Sequence, residues 1–154
     1  MTDRQRPSTR RYLEVWRLYL VSQNLVLKKL EREMQAAHGL SLAEFDVLAH
    51  VSAAPDQRLR LGQLAEAVLF TTGGITRLLD RLCDAGLLVR ERDPADRRVV
   101  YAVLTSKGND HFQQASRSQL RGVVKHFGRQ LTADDIDAVE AFLTRLVDSN
   151  LDPA

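Results

Sequence analysis

A mainly helical fold carrying one small β-hairpin is what this sequence predicts, on three observations. Apolar residues recur at helical spacing in six separate segments. Two β-rich runs, residues 87–92 and 98–104, flank Asp93-Pro-Ala-Asp-Arg97, the pattern of a hairpin whose tip is too long for a two-residue turn. The helix just before that hairpin is short, strongly amphipathic and stopped by Ala85-Gly86. The order is therefore α-α-α-α-β-β-α-α. A helix followed by a charged hairpin has the shape of a winged helix-turn-helix, with a helix for the major groove of duplex DNA and a wing for the minor groove.

Residues 10–38 form the first helical pattern. Leu13, Trp16, Leu20, Leu27 and Leu30 recur with Val15, Leu18, Val26 and Met34 between them, a stripe wider than one core contact needs. Gly39 supplies a left-handed stop. Ser41-Leu-Ala-Glu44 is a capping box opening a second helix, with Phe45, Leu48 and Val51 inward and an end near Pro55. Residues 61–68 give a short third helix with Leu61, Leu64, Ala65 and Val68 on one face. Thr71 is the expected N-cap of the fourth, where Ile75, Leu78, Leu79 and Leu82 sit at i, i+3, i+4 and i+7 and Cys83 extends the stripe. Alternation within the two strands is poor, so the buried strand face is left open. Thr105 caps a fifth helix reaching about Gly128. Thr132-Ala-Asp-Asp135 caps a sixth, with Ile136, Val139, Phe142, Leu143, Leu146 and Val147 in helical period.

A chain of 154 residues suits a single domain with a real core. Within it, residues 41–104 form the winged unit, and residues 10–38 and 105–150 lie outside that minimal unit. Each outer helix carries its own apolar stripe, which must be buried against something. Packing them together and against a second copy of the chain solves this, and a two-fold homodimer sets two recognition helices about one turn of duplex apart. The net charge of +2 rules out a bulk polyelectrolyte binder, so a nucleic-acid surface has to come from local arginine clusters. The lone Cys83 excludes an internal disulfide and fits a reducing compartment. No apolar run approaches the roughly 18 residues that span a bilayer, and no signal-peptide core precedes the first helix. No membrane association and a cytoplasmic location are the expectations.

With the stripe of the fourth helix facing the core, Thr72, Gly73, Thr76, Arg77, Asp80 and Arg81 are left outside. Arg77 can fork onto guanine O6 and N7, Arg81 one turn later suits a backbone phosphate, and Thr76 can meet a base or phosphate. Gly73 and Gly74 in a first helical turn cost roughly 1 kcal/mol each relative to alanine. Either a close approach to DNA offsets that cost or a tight packing or turn requirement does. At the wing tip, Arg97 and Arg98 are placed for a narrow A·T minor groove, with Asp96 pairing to a neighbouring arginine and orienting the tip. An ordinary solvated, ion-paired face remains the alternative for these interleaved charges.

Thr76-Arg-Leu-Leu-Asp-Arg-Leu82 with Gly86-Leu-Leu-Val-Arg90, and Asp96-Arg-Arg98 before Leu104-Thr105-Ser-Lys-Gly108, resemble the MarR family of bacterial transcriptional regulators over essentially the whole chain. The resemblance implies a dimer built by the first, fifth and sixth helices and a recognition helix near residues 71–85. It also implies wing arginines, Arg98 first and Arg97 second, that reach a minor groove. The Gly73-Gly74 pair departs from the small polar residues often found there, which sets side-chain readout at those two positions aside.

No catalytic constellation is present: the four histidines are scattered and none sits in a zinc-binding pattern. The chain is read as a non-enzyme without cofactor or metal, and Cys83 as a small core residue rather than a redox sensor. The resemblance implies that a small aromatic or phenolic effector enters a cleft and releases DNA. Tyr12, Trp16, Arg17, Tyr19 and His50 are the candidates for that cleft, with Arg10 and His111 behind them, although aromatics at helical spacing equally serve core or dimer packing. The expectation is a homodimeric regulator, a repressor on a pseudo-palindromic operator in double-stranded DNA. The alternative is a winged-helix dimer that binds protein and not DNA.

Overall fold

In a computed structural model the chain is described over residues 8–68 and 74–151. Helix α1 spans Thr9–His38, capped by the Ser8 hydroxyl, which accepts from the Arg11 N–H, and closed by Gly39 at φ 67°. Helix α2 spans Leu42–Ala53 and begins at the expected capping box. The Ser41 hydroxyl accepts from the Glu44 N–H at 3.1 Å, and the Glu44 carboxylate accepts from the Ser41 N–H at 2.8 Å.

After Pro55 the chain reverses through Asp56 and Gln57, both at positive φ, into a strand that the sequence did not announce. This strand, β1, is only Arg58–Arg60. One leucine between two arginines is too short to show a period. Helix α3 covers Leu61–Ala67, one residue less than expected; Leu64 and Val68 are buried while Ala65 lies exposed. Helix α4 covers Ile75–Asp84 with Gly74 as its N-cap residue. The helix thus starts later than the sequence indicated, and Gly74 stands before its first turn, not inside it. The predicted cap Thr71 lies outside the described residues.

The hairpin strands are β2, Leu88–Arg92, and β3, Val100–Leu104. β2 starts one residue later than its β-rich run, and β3 two residues later, because Arg98 and Val99 belong to the tip, where the Val99 N–H donates to the Asp96 carbonyl at 2.9 Å. The sheet is antiparallel in the order β1-β3-β2, with Arg60 opposite Tyr101 and Arg92 opposite Val100. Leu88, Ala102 and Leu104 face the core. The rest of β2 is exposed, so its outer end projects as the arm of a wing and has no buried face to alternate.

Helix α5, Ser106–His126, starts at Thr105, whose hydroxyl accepts from the Gly108 N–H at 2.9 Å and donates to the Gly86 carbonyl at 2.8 Å. A side chain at Gly108 would run into the Leu87 carbonyl. This glycine lets the first turn of α5 lie directly against the entry to β2. The fifth helix ends before the expected Gly128, which opens a short 3-10 turn. Helix α6, Ala133–Asp148, is capped by Thr132 as expected, and Asp135 completes a capping box.

The core gathers where α2, α3, α4 and the sheet meet: Val47, Leu48, Val51, Leu64, Leu79, Leu82 and Leu88 are all at most 2% exposed. Phe45 stacks on Phe112 with ring centroids 5.6 Å apart, docking α5 on α2. Among the described residues, α1 adds only Leu30 and Met34 to the buried set, and α6 adds none. No described helix is long and apolar enough to cross a membrane.

Candidate nucleic-acid interface

Because Leu78, Leu79 and Leu82 point into the core, the opposite side of α4 faces solvent, and Thr76, Arg77, Asp80 and Arg81 are all exposed. They are not equivalent. Arg81 donates through Nε to Glu44 Oε1 at 2.6 Å. Asp80 is bound by Arg90 of β2 at 2.8 Å, and the same guanidinium reaches the Thr76 carbonyl at 3.5 Å. Arg77 has no hydrogen-bond or ion-pair partner among the described residues. On α4 itself Arg77 is thus the arginine left free to meet an outside group, and Arg92 at the outer end of β2 is likewise exposed with no partner among the described residues.

The Arg90 contacts also place the wing relative to the helix. They tie the middle of β2 to the outer face of α4, so helix and hairpin form one surface. At the tip, Asp93 Oδ1 accepts from the N–H groups of Ala95 and Asp96 at 2.8 and 3.1 Å. These backbone bonds, helped by the Tyr101 hydroxyl at 3.2 Å, hold the Asp93 carboxyl below its usual range. Asp96 pairs with a neighbouring arginine: its Oδ1 accepts from both the backbone N–H and Nε of Arg98, at 3.0 and 3.3 Å. Arg98 remains almost wholly exposed, and Arg97 is exposed with no partner among the described residues.

Sequence reasoning missed a second layer of residues beneath this surface. Tyr101 lies under Arg58, whose guanidinium carbon is 3.8 Å from the ring centroid, and its hydroxyl accepts from Arg60 Nε at 3.3 Å while donating to Asp93. An unseen three-residue strand thus delivers two arginines to the base of the wing. Glu44 was read as a cap alone; its remaining oxygen holds Arg81. No sequence period could pair residues 37 positions apart. Thr72 and Gly73, expected at the interface, lie outside the described residues. Gly74 has negative φ, and no described residue comes within 4 Å of where a Cβ would stand, so neither strain nor packing among the described residues requires a glycine there.

The candidates for an effector cleft do not converge. Tyr12, Trp16 and Arg17 are exposed on α1, and Trp16 stacks on the half-buried Tyr19 at 5.7 Å. Tyr19 lines a cavity of about 520 Å³ between α1, the end of α5 and α6, together with Val26, His126, Phe127, Phe142 and Leu143, and none of the other four candidates lines it. His50 sits on α2, 3.7 Å from Asp46. His111 donates through Nε2 to the His38 carbonyl at 3.0 Å, a link between α1 and α5. Cys83 is half-buried against the core, and burial pushes its thiol pKa up. Among the described residues no group of three or more His, Cys, Asp or Glu side chains is arranged to hold a metal ion.

The MarR family model matches residues 38–99. The uncharacterized HTH-type transcriptional regulator YkoM of Bacillus subtilis is 40% identical over 77 residues, 50% of this chain and 49% of that protein. The chain thus spans about half the length of the curated relatives that it matches at about 40% identity. A MarR family transcriptional regulator from Silicibacter pomeroyi, known from its crystal structure, is 32% identical, with 97% of this chain and 99% of that chain covered and a TM-score of 0.72. Sco3205 of Streptomyces coelicolor, a MarR family regulator crystallised in complex with DNA, is 25% identical at a TM-score of 0.85, covering 99% of this chain and 95% of its own.

Proposed function

Because the chain belongs to the MarR family of transcriptional regulators, we propose that it is a homodimeric, sequence-specific DNA-binding repressor acting on a pseudo-palindromic operator in the cytoplasm, with no enzymatic activity. The carrying observation is a set of exposed cations with no partner among the described residues, Arg77 on α4 and Arg92 and Arg97 on the wing, beside Arg81, Arg90 and Arg98, which the chain's own carboxylates already hold. In this reading α4 enters a major groove and Arg77 forks onto a guanine, with Thr76 beside it. Arg97 and Arg98 enter the flanking minor groove, Arg98 oriented by Asp96. Thr72, Gly73 and Gly74 keep the DNA-binding role expected of them; the space left open by the described residues around Gly74 supports a close approach of the duplex there.

The dimer is supported by apolar side chains that the single chain leaves in solvent: Leu13, Trp16 and Leu18 on α1, Leu120 on α5, Phe142 and Val147 on α6. A small aromatic or phenolic effector lowers DNA affinity by changing the spacing of the two winged units. Of the effector candidates, Tyr19 is carried forward, because it lines the cavity between α1 and α6.

Selection of bound duplexes from a random pool tests symmetry, half-site spacing and readout together. The expected product is an inverted repeat with half-sites about one helical turn apart. Binding to it should weaken steeply with added salt, as phosphate contacts require. A flat salt response with no enriched duplex overturns DNA binding and favours a protein partner.

A further inference from the structure

We propose that Glu44, which lies beneath the DNA-reading surface, is a positioning residue for the recognition helix and so a determinant of sequence preference; this rests on the DNA-binding reading above. Glu44 is 8% exposed. Its carboxylate is divided between two tasks. Oε2 accepts from the Ser41 N–H at 2.8 Å and the Ser41 hydroxyl at 2.9 Å, which completes the cap of α2. Oε1 takes Nε of Arg81 at 2.6 Å, across 37 residues of chain.

The cap alone does not call for a charge at this position, since glutamine closes a capping box as well as glutamate. A buried carboxylate without a cation is costly, so the charge is explained by Arg81. Glutamine offers one acceptor oxygen and an NH2 group that only donates. It can satisfy Ser41 or Arg81, but not both.

Arg81 stands four residues after Arg77, on the same side of α4. Holding its Nε against α2 fixes the roll of α4 about its own axis, and Arg90 on Asp80 fixes the same helix toward the wing. A roll of the helix swings the free Arg77 across the groove floor, where a bidentate contact to guanine tolerates little misplacement. Glu44 thereby acts on base choice through Arg81 and α4 without touching DNA.

The test compares wild type, Glu44→Gln, Arg81→Ala, the double variant and Ser41→Ala on the selected operator and on a scrambled duplex, at several salt concentrations. Melting temperatures confirm that each is folded at the assay temperature. The expected result is that Glu44→Gln and Arg81→Ala each cut the preference for operator over scrambled duplex about tenfold. The double variant should be no worse than either single, and the salt slope should stay at its wild-type value. Ser41→Ala, which removes the hydroxyl and leaves the ion pair, should lower the melting temperature and keep the preference. The proposal is overturned if Glu44→Gln binds all duplexes more tightly with a steeper salt slope. In that case Glu44 only masks a phosphate-binding arginine. It is equally overturned if Arg81→Ala reduces the slope by about 1, or if preference survives in both singles. Failure of the DNA-binding reading looks different, since wild type itself would then show no salt-dependent duplex binding.

Discussion

The winged unit and the outer helices are built from the same kind of apolar stripe, yet one satisfies its stripes internally and the other does not. In the winged unit Leu48, Leu64, Leu79, Leu82 and Leu88 are each at most 2% exposed. Along the first half of α1, Leu13 is 63% and Leu18 68% exposed, and Val147 on α6 is 57% exposed. The first region is a finished core that aims a reading surface. The second leaves its apolar side chains in solvent, the face that the proposed second copy would cover. Stability and assembly should therefore separate by region under mutation.

The largest effect on the stability of the single chain falls where the winged unit meets the outer helices, at the junction of β2 and α5. Gly108→Ala drives a methyl group into the Leu87 carbonyl where α5 meets the sheet, and backbone on both sides leaves little to yield. Overpacking of this kind should cost about 1–3 kcal/mol or more, read as a lower urea midpoint. Gly62→Ala has open space around it and should hold or raise the midpoint, so the pair separates collision from generic glycine loss. If Gly108→Ala melts like wild type, the tight junction of α5 and β2 is wrong.

The next effect belongs to the outer helices. Leu13→Asp and Leu18→Asp put charges on the exposed face of α1 and should leave the circular dichroism of the winged unit intact. Each apolar side chain buried in a dimer contributes about 1.5–3 kcal/mol, and both protomers lose it. Analytical ultracentrifugation at micromolar concentration should then find mostly monomer. Unchanged association would place the dimer contact elsewhere and break the comparison.

How much of this was legible in the sequence follows the same division. Capping boxes and helical stripes are local, so Ser41-Glu44, Thr132-Asp135 and the core face of α4 could be read directly. Asp96 was legible for the same reason, since its partner Arg98 is two residues away. Hidden features depend on pairing across the fold: β1 exists because Arg58–Arg60 lies against β3, and Glu44 meets Arg81 only once α2 and α4 cross. Thr105 and Gly108 were visible as a motif, but their cause, a helix start pressed onto the Leu87 carbonyl, needed coordinates.

A smaller effect tests the edge of the reading surface. Gly74→Ser places a favoured N-cap residue before α4 in open space. Stability should change by no more than a few tenths of a kcal/mol, while operator affinity should fall about tenfold if DNA backbone approaches there. Gel-shift titration alongside thermal melting separates the two. Undiminished affinity with intact folding would remove Gly74 from the interface.

The smallest effect sits within the outer helices, where α1 packs on α5. Glu33 of α1 accepts from Lys125 Nζ at 2.6 Å and His126 Nε2 at 2.9 Å on α5. The Lys125 hydrogen bond first, and the His126 bond second, lower its pKa from 4.5 to about 2. A depressed carboxylate pKa means that folding favours the ionised form, so the contribution is fully present above pH 4.5 and fades as pH falls toward 2. Glu44, Asp93 and Asp135 are depressed as well, so acid unfolding of wild type alone cannot isolate Glu33. The difference in stability between wild type and Glu33→Gln can. It should be constant near neutrality, shrink below pH 4.5 and vanish near pH 2, and it should narrow in 1 M salt because the pair is exposed. A difference that grew as the pH fell would mean that the α1–α5 joint does not depend on this carboxylate.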